Sequence, residues 1–251
     1  MIGICALCKA TSSLQNSHLV PKWAYRRVLS LGGNNANAPV LVSKGNAVLS
    51  NKQTTKKILC SACEQRFSTV ENYIAKITKP DNSRIKLFQD ITRPNTPKYV
   101  LASLNRNDDG NLMAYFAASV MWRSCVMTGQ CKLGPYQHIF QQYLSGQAPL
   151  PPEVVISACL FEASPQLDPR GWISEPTSLK TQLGWLHGFL MTGLGFRCWI
   201  GKTLPHGWSQ VSLSSNSQTK YVSVIKPEEC ADFLAAAEVA EAAKQRGRLA
   251  A

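Results

Sequence analysis

Two Cys-x-x-Cys pairs carry the plainest chemistry in this sequence, Cys5/Cys8 and Cys60/Cys63. Two residues between thiolates let one tight turn aim both sulfurs, and nearby backbone N–H groups, at a single metal ion. A lone pair of this kind also serves as a redox centre, but a second pair favours a tetrahedral four-cysteine site with Zn²⁺ as a structural ion. The chain has 9 cysteines. The other five (Cys125, Cys131, Cys159, Cys198 and Cys230) are scattered among apolar residues, unlike a disulfide framework, and are expected as small buried hydrophobes.

A histidine and a carboxylate stand close to these pairs. Ser17-His18-Leu19-Val20-Pro21 lies between them, and Glu64 directly follows Cys63. Any chemistry beyond metal binding would sit here, beside the pairs. Each residue also has a purely structural role open to it. His18 could hydrogen-bond backbone near the staple, Ser17 could cap the coming helix, and Glu64 could favour a helix N-terminus. Glu71, on the same helix face as Glu64, could reach the same place or pair with Arg66 or Lys76. His138, His187 and His206 have no ligand spacing and are expected to be structural or exposed.

Charge is concentrated around these residues. The formal net charge is +12, and residues 1–100 carry 15 Lys and Arg against 4 Asp and Glu. Four thiolates and one Zn²⁺ would remove two units, leaving this part strongly basic. Such a field attracts polyanions. The cations nearest the chemistry are Lys22, Arg26 and Arg27 after His18, and Lys52, Lys56 and Lys57 before the second Cys pair, all candidate phosphate contacts. A merely soluble basic surface is the alternative reading. No basic amphipathic helix stands out, so a membrane partner is not expected.

The elements that must position these residues can be read from periodicity and breakers. Leu14–Val20 reads as extended, and Pro21 starts a helix that Gly32-Gly33 ends. The stretch from Gly32 to Pro39 is a loop. Val40–Val42 and Ala47–Leu49 form a hairpin. After Cys60, the apolar residues Cys63, Phe67, Val70 and Ile74 share one face of a helix that ends before Pro80. Residues 81–98, rich in proline and polar groups, read as a linker. Beyond it come a strand at Tyr99–Leu104, a turn at Asn105–Gly110, and helices at Leu112–Met127 and Pro135–Leu144. Strands follow at Val154–Phe161, Trp185–Met191, Phe196–Ile200, Gln210–Leu213 and Tyr221–Ile225, then an Ala-rich helix from Pro227 to Arg246.

The order of these motifs resembles the zinc-stapled HNH (ββα-metal, treble-clef) endonucleases, and also bacterial proteins carrying Ser-His-x-x-Pro followed by Leu-Cys-x-x-Cys-Glu. The resemblance covers residues 5 to 75. It implies that His18 is the general base for water attacking a phosphodiester, and that its neighbours hold one Mg²⁺ or Mn²⁺. Ser17 falls where the family has an acidic ligand, and Glu64 where it has Asn or His. A Ser hydroxyl is a poor Mg²⁺ ligand, but Glu64 restores one carboxylate.

The resulting expectation is an α+β protein. A zinc-binding treble-clef or ββα-metal module fills residues 1–80, a linker residues 81–98, and an α+β domain of mostly antiparallel strands residues 99–251. The function expected is metal-dependent hydrolysis of nucleic acid, DNA above all, with the C-terminal domain selecting targets or docking a protein partner. The resemblance further suggests a bacterial phage-defence or toxin role. The competing class is a non-catalytic zinc module that binds nucleic acid or protein. The start, MIGICALCK, has no signal-peptide pattern, and a cytoplasmic location is expected.

Overall fold

Residues 1–31, 40–43, 46–50, 52–94, 101–164, 167–214 and 217–247 are described in the computed structural model. Ile2–Ile4 (β1) and Thr11–His18 (β2) pair antiparallel around the first Cys pair. Lys9 turns the chain between them with φ of 65°, and its N–H donates to the Cys5 carbonyl. Pro21 then pre-sets the backbone for the helix Lys22–Leu31 (α1). The loop expected at Gly32–Pro39 lies outside the described residues, but the hairpin after it is present as Val40–Ser43 (β3) and Asn46–Leu49 (β4).

Thr55–Cys60 (β5) pairs antiparallel with β2, giving a three-stranded sheet in the order β1-β2-β5. A register shift between Gln15 and Asn16 marks a bulge just before Ser17 and His18. Bulges re-aim the side chains that follow them. The chain passes straight from β5 into the helix Ser61–Ile77 (α2), with extended Cys60 as its N-cap. Cys63, Phe67 and Ile74 are buried along one side of α2, as their spacing requires.

The segment read as a linker is more structured than its prolines suggest. Pro80–Asp81 (β6) and Arg84–Ile85 (β7) make a tight hairpin, a 3-10 turn covers Lys86–Gln89, and Ile91–Thr92 (β8) pairs with Leu101–Leu104 (β9). Ile85 and Leu87, spaced by two, are buried here. Residues 95–98 lie outside the described residues.

The turn expected at Asn105–Gly110 is instead the start of a long helix, Asn107–Met127 (α3). Asp108 and Asp109 in its first turn suit the positive end of the helix dipole. Gly110 stays helical, and a Cβ there would lie 2.7 Å from Lys220 Cγ. Tyr136–Ser145 (α4) follows and closes on Gly146 with φ of 78°, a left-handed C-cap.

Val154–Phe161 (β10) is buried at all eight positions, hence its unbroken apolar run. Trp185–Met191 (β12) and Leu194–Ile200 (β13) join through Thr192-Gly193, both with positive φ as a primed hairpin turn requires. Thr177–Lys180 (β11), which the sequence did not announce, pairs on the edge of β12. Tyr221–Ile225 (β14) lies parallel to β10. The seven-stranded order is β11-β12-β13-β10-β14-β9-β8, antiparallel except at that one pair. Gln210–Leu213, expected as a strand, is a series of turns; Leu213 is buried, and its N–H donates to the Ile156 carbonyl from outside the ladder. The helix Ala231–Gln245 (α5) places Phe233 4.7 Å from the Phe161 ring, edge to face.

The described residues thus form mixed α+β structure with mostly antiparallel sheets. One contiguous apolar core runs from Cys5 and Leu7 through α2 and α3 to Val222. Phe67 on α2 sits at its seam, edge-on to Tyr115 and Trp122 of α3 at 6.1 and 6.3 Å. Replacing Phe67 by Ala removes this ring pair and leaves a cavity, which should cost about 3–5 kcal/mol in urea unfolding. A loss below about 1 kcal/mol would show that the seam is not a packed core.

Candidate metal centre and adjoining site

The cysteine cluster is assembled by two backbone turns. β1 and β2 bring Cys5 and Cys8 around the first knuckle, where the Cys5 N–H donates to the Ala10 carbonyl and the Ala6 N–H to the Ile58 carbonyl. The end of β5 and the first turn of α2 present Cys60 and Cys63 opposite them. The Cys60 N–H donates to Cys5 Sγ at 3.3 Å, linking the knuckles directly. From the far half of the chain, Gln141 Nε2 donates to the Leu7 carbonyl at 2.7 Å and fixes the first knuckle against α4.

The four sulfurs all lie within 4.8 Å of one another. Cys8 Sγ and Cys60 Sγ are 3.7 Å apart. A tetrahedron of Zn–S bonds of about 2.3 Å has edges of about 3.8 Å, so this separation fits zinc and is far longer than a disulfide. Burial alone would raise the Cys5 thiol, but N–H groups of Cys60, Cys8 and Leu7 outweigh it and bring the pKa down to about 7. Burial and the neighbouring thiols hold Cys63 well above the usual range. Sulfurs crowded like this compete for negative charge unless a cation sits between them. The cluster could therefore hold a metal ion such as zinc. Among the described residues it is the only group of three or more Cys, His, Asp or Glu side chains close enough to hold an ion.

Immediately beside the cluster, the last two residues of β2 meet the first turn of α2. Ser17, fully buried, donates its hydroxyl to Glu64 Oε2 at 2.7 Å. The two side chains thus meet across 47 positions of sequence. His18 is half-buried. Burial, and then the charge of Lys22, hold its imidazole below the usual pKa, while Glu64 and Glu71 pull the other way. The ring is therefore predominantly neutral at pH 7, the form in which it can accept a proton.

Glu71 pairs with neither Arg66 nor Lys76. Its Oε1 lies 2.7 Å from Arg123 Nη2, in an ion pair that is off the angle of a hydrogen bond. Arg123 belongs to α3 and is 1% exposed. Its Nη1 donates to the His18 carbonyl at 2.7 Å. Sequence reasoning passed over this residue, yet a cation inside the apolar run Val120–Met127 was a signal in plain sight, since buried charges need partners.

The basic residues divide into two groups. Lys22 and Arg26, four apart on α1, are exposed, as are Lys52, Lys56 and Lys57. Lys56 and Lys57 pair with Ser17 and Asn16 in the β2–β5 register, beside the histidine. Arg27 is engaged elsewhere. Its Nη1 donates to the carbonyl and hydroxyl of Thr78 at 2.7 and 2.6 Å, and its Nη2 to the Ala75 carbonyl at 3.0 Å. Arg27 thus caps the C-terminus of α2, where carbonyls lack partners and the dipole is negative. Burial brings its own pKa down to about 10. Of the remaining histidines, His187 is wholly buried, with Nδ1 2.8 Å from Ser178 Oγ.

Comparison with known protein families, curated proteins and solved structures finds no match to this chain. Among the described residues no helix is long and apolar enough to cross a membrane. The metal centre is open to direct test. Purified protein should contain one zinc ion per chain by mass spectrometry of the metal. Cys60→Ser should lose most of it and lower the melting temperature by about 10 °C or more, the effect of losing several kcal/mol in a chain this size.

Proposed function

We propose that this chain is an HNH-like, metal-dependent endonuclease acting on nucleic acid, DNA above all, on a treble-clef scaffold closed by a structural zinc. The observation that carries the reading is the Ser17–Glu64 hydrogen bond of 2.7 Å, with His18 next in the chain, against the wall of the cysteine cluster. It brings Glu64 to the residue next to His18 from 47 positions away in sequence, and the charge of Glu64 acts on the His18 imidazole. His18 would take the proton of the water attacking the phosphodiester, while Ser17 keeps Glu64 aimed at the site. Glu64 would hold a divalent ion, which when bound supplies charge stabilisation to the scissile phosphate and the leaving oxygen. A single carboxylate fits Mg²⁺ or Mn²⁺, whose other positions go to water and substrate phosphate. Lys22, Arg26, Lys52, Lys56 and Lys57 would neutralise the nucleic-acid backbone without reading bases. The C-terminal half would choose the target or dock a protein partner. A phage-defence or toxin role rests on the family resemblance alone.

The second reading is a non-catalytic zinc module that binds nucleic acid or protein. What favours it is the carboxylate count: of the two carboxylates whose charges act on His18, Glu71 is tied to Arg123, and Glu64 is left. Incubation of plasmid DNA or RNA with Mg²⁺ or Mn²⁺ separates the two. Wild type should cut, and His18→Ala should slow cutting by about 10²–10⁴-fold. Glu64→Gln should be similarly slow while retaining DNA binding. No cutting by wild type, with binding that falls steeply with salt, would replace the enzyme by the binding module.

A further inference from the structure

Arg123 is a buried cation that neither the zinc cluster nor the proposed catalysis accounts for. It reaches out of α3, an element outside the N-terminal module, and its guanidinium is used on several sides at once. Nη1 donates to the His18 carbonyl at 2.7 Å, and Nη2 lies 2.7 Å from Glu71 Oε1 and 3.4 Å from Ser119 Oγ. Nε donates to the Ser119 carbonyl at 3.3 Å, and the guanidinium carbon stands 5.4 Å from the centre of the Phe67 ring. A single residue therefore ties β2 at His18, the middle of α2 and the C-terminal part of α3 together.

A charge this deeply buried is costly, and apolar residues could pack the same volume at least as stably. Stability alone is thus a weak reason for it. Its directional bond to the main chain of His18 is something that apolar packing could not supply. His18 is the last residue of β2, where the chain leaves the sheet for Pro21. The chain on either side of it is paired with β5, Ser17 opposite Lys56 and the Leu19 N–H donating to the Thr54 carbonyl, while the His18 carbonyl itself is held by Arg123.

We infer that Arg123 is a positioning residue for His18: the helix of the C-terminal half fixes the main chain that carries the imidazole, with Glu71 holding the guanidinium in place. The inference rests on His18 being the base of the proposed reaction, but the geometry it describes can be measured without any reaction. It also makes the C-terminal half part of the site, because a shift of α3 would move His18.

Lysine is the informative substitute. It keeps the charge and can pair with Glu71, but lacks the fork needed to reach the His18 carbonyl as well. In ¹⁵N-histidine-labelled full-length protein, His18 is one of four histidines and is assigned by the signal lost in His18→Gln. Arg123→Lys should keep its zinc while the His18 ring signals shift and broaden. If the nuclease reading holds, kcat should drop about 10- to 100-fold with KM unchanged, the mark of a misplaced base and not of weakened binding. Should Arg123→Lys fail to fold, the double variant Arg123→Met with Glu71→Met removes both buried charges and should show the same His18 change. Wild-type His18 signals in either folded variant would overturn the inference, as would loss of fold in both. A moved His18 signal in a protein that cuts no nucleic acid would uphold positioning and refute the nuclease.

Discussion

Four sulfurs held within 4.8 Å of one another impose the constraint from which the N-terminal architecture follows. Cys8 and Cys60 are 52 residues apart in sequence, so bringing their sulfurs to 3.7 Å closes a long loop, and a metal ion bound there would supply the free energy that holds it closed. The link fixes more than a distance. It sets the turn between β1 and β2 against the N-terminus of α2, so the end of β2 and the first turn of α2 must face each other. The meeting of Ser17 and Glu64 follows from that closure, and so does the freedom of the intervening segment to carry a hairpin without disturbing the site.

The second constraint is burial. α2 cannot satisfy its apolar stripe within the three-stranded sheet, and it turns Phe67 toward Tyr115 and Trp122 of α3. Once α3 is packed there, Arg123 lies under His18 and Gln141 of α4 caps the first knuckle. The cysteine cluster and the large sheet are thereby joined through two helices that belong to neither.

Much of this was legible in the sequence because it depends on local signals. The Cys-x-x-Cys spacings, Pro21 before α1, the stripe on α2, and the unbroken apolar run of β10 each reflect chemistry within a few residues. What escaped depends on partners remote in sequence. Arg27 looks like a surface cation until Thr78 and Ala75 arrive beside it at the end of α2. Ser17 gives no local sign of its partner, the carboxylate of Glu64, 47 positions further on. The strand expected at Gln210–Leu213 has the right composition, but Leu213 meets the sheet from a turn. The helix start at Asn107 was masked by Asn105–Gly110, whose Asp and Gly residues serve turns and helix N-termini alike. In the fold Gly110 is buried within α3, with the side chain of Lys220 close over it.

The seam at Phe67 also bears on how the chain comes into being. Synthesis delivers the N-terminus first, and domains of growing chains fold as their residues emerge. All four thiols are made well before α3, so an ion could be captured while the polypeptide is still being extended. At that moment Phe67 and Ile74 have no opposite wall, and the stripe on α2 stays exposed until Tyr115 and Trp122 are added. Were an ion taken up at that stage, its capture and the completion of the core would be separate events, with the apolar stripe on α2 open to other chains in between.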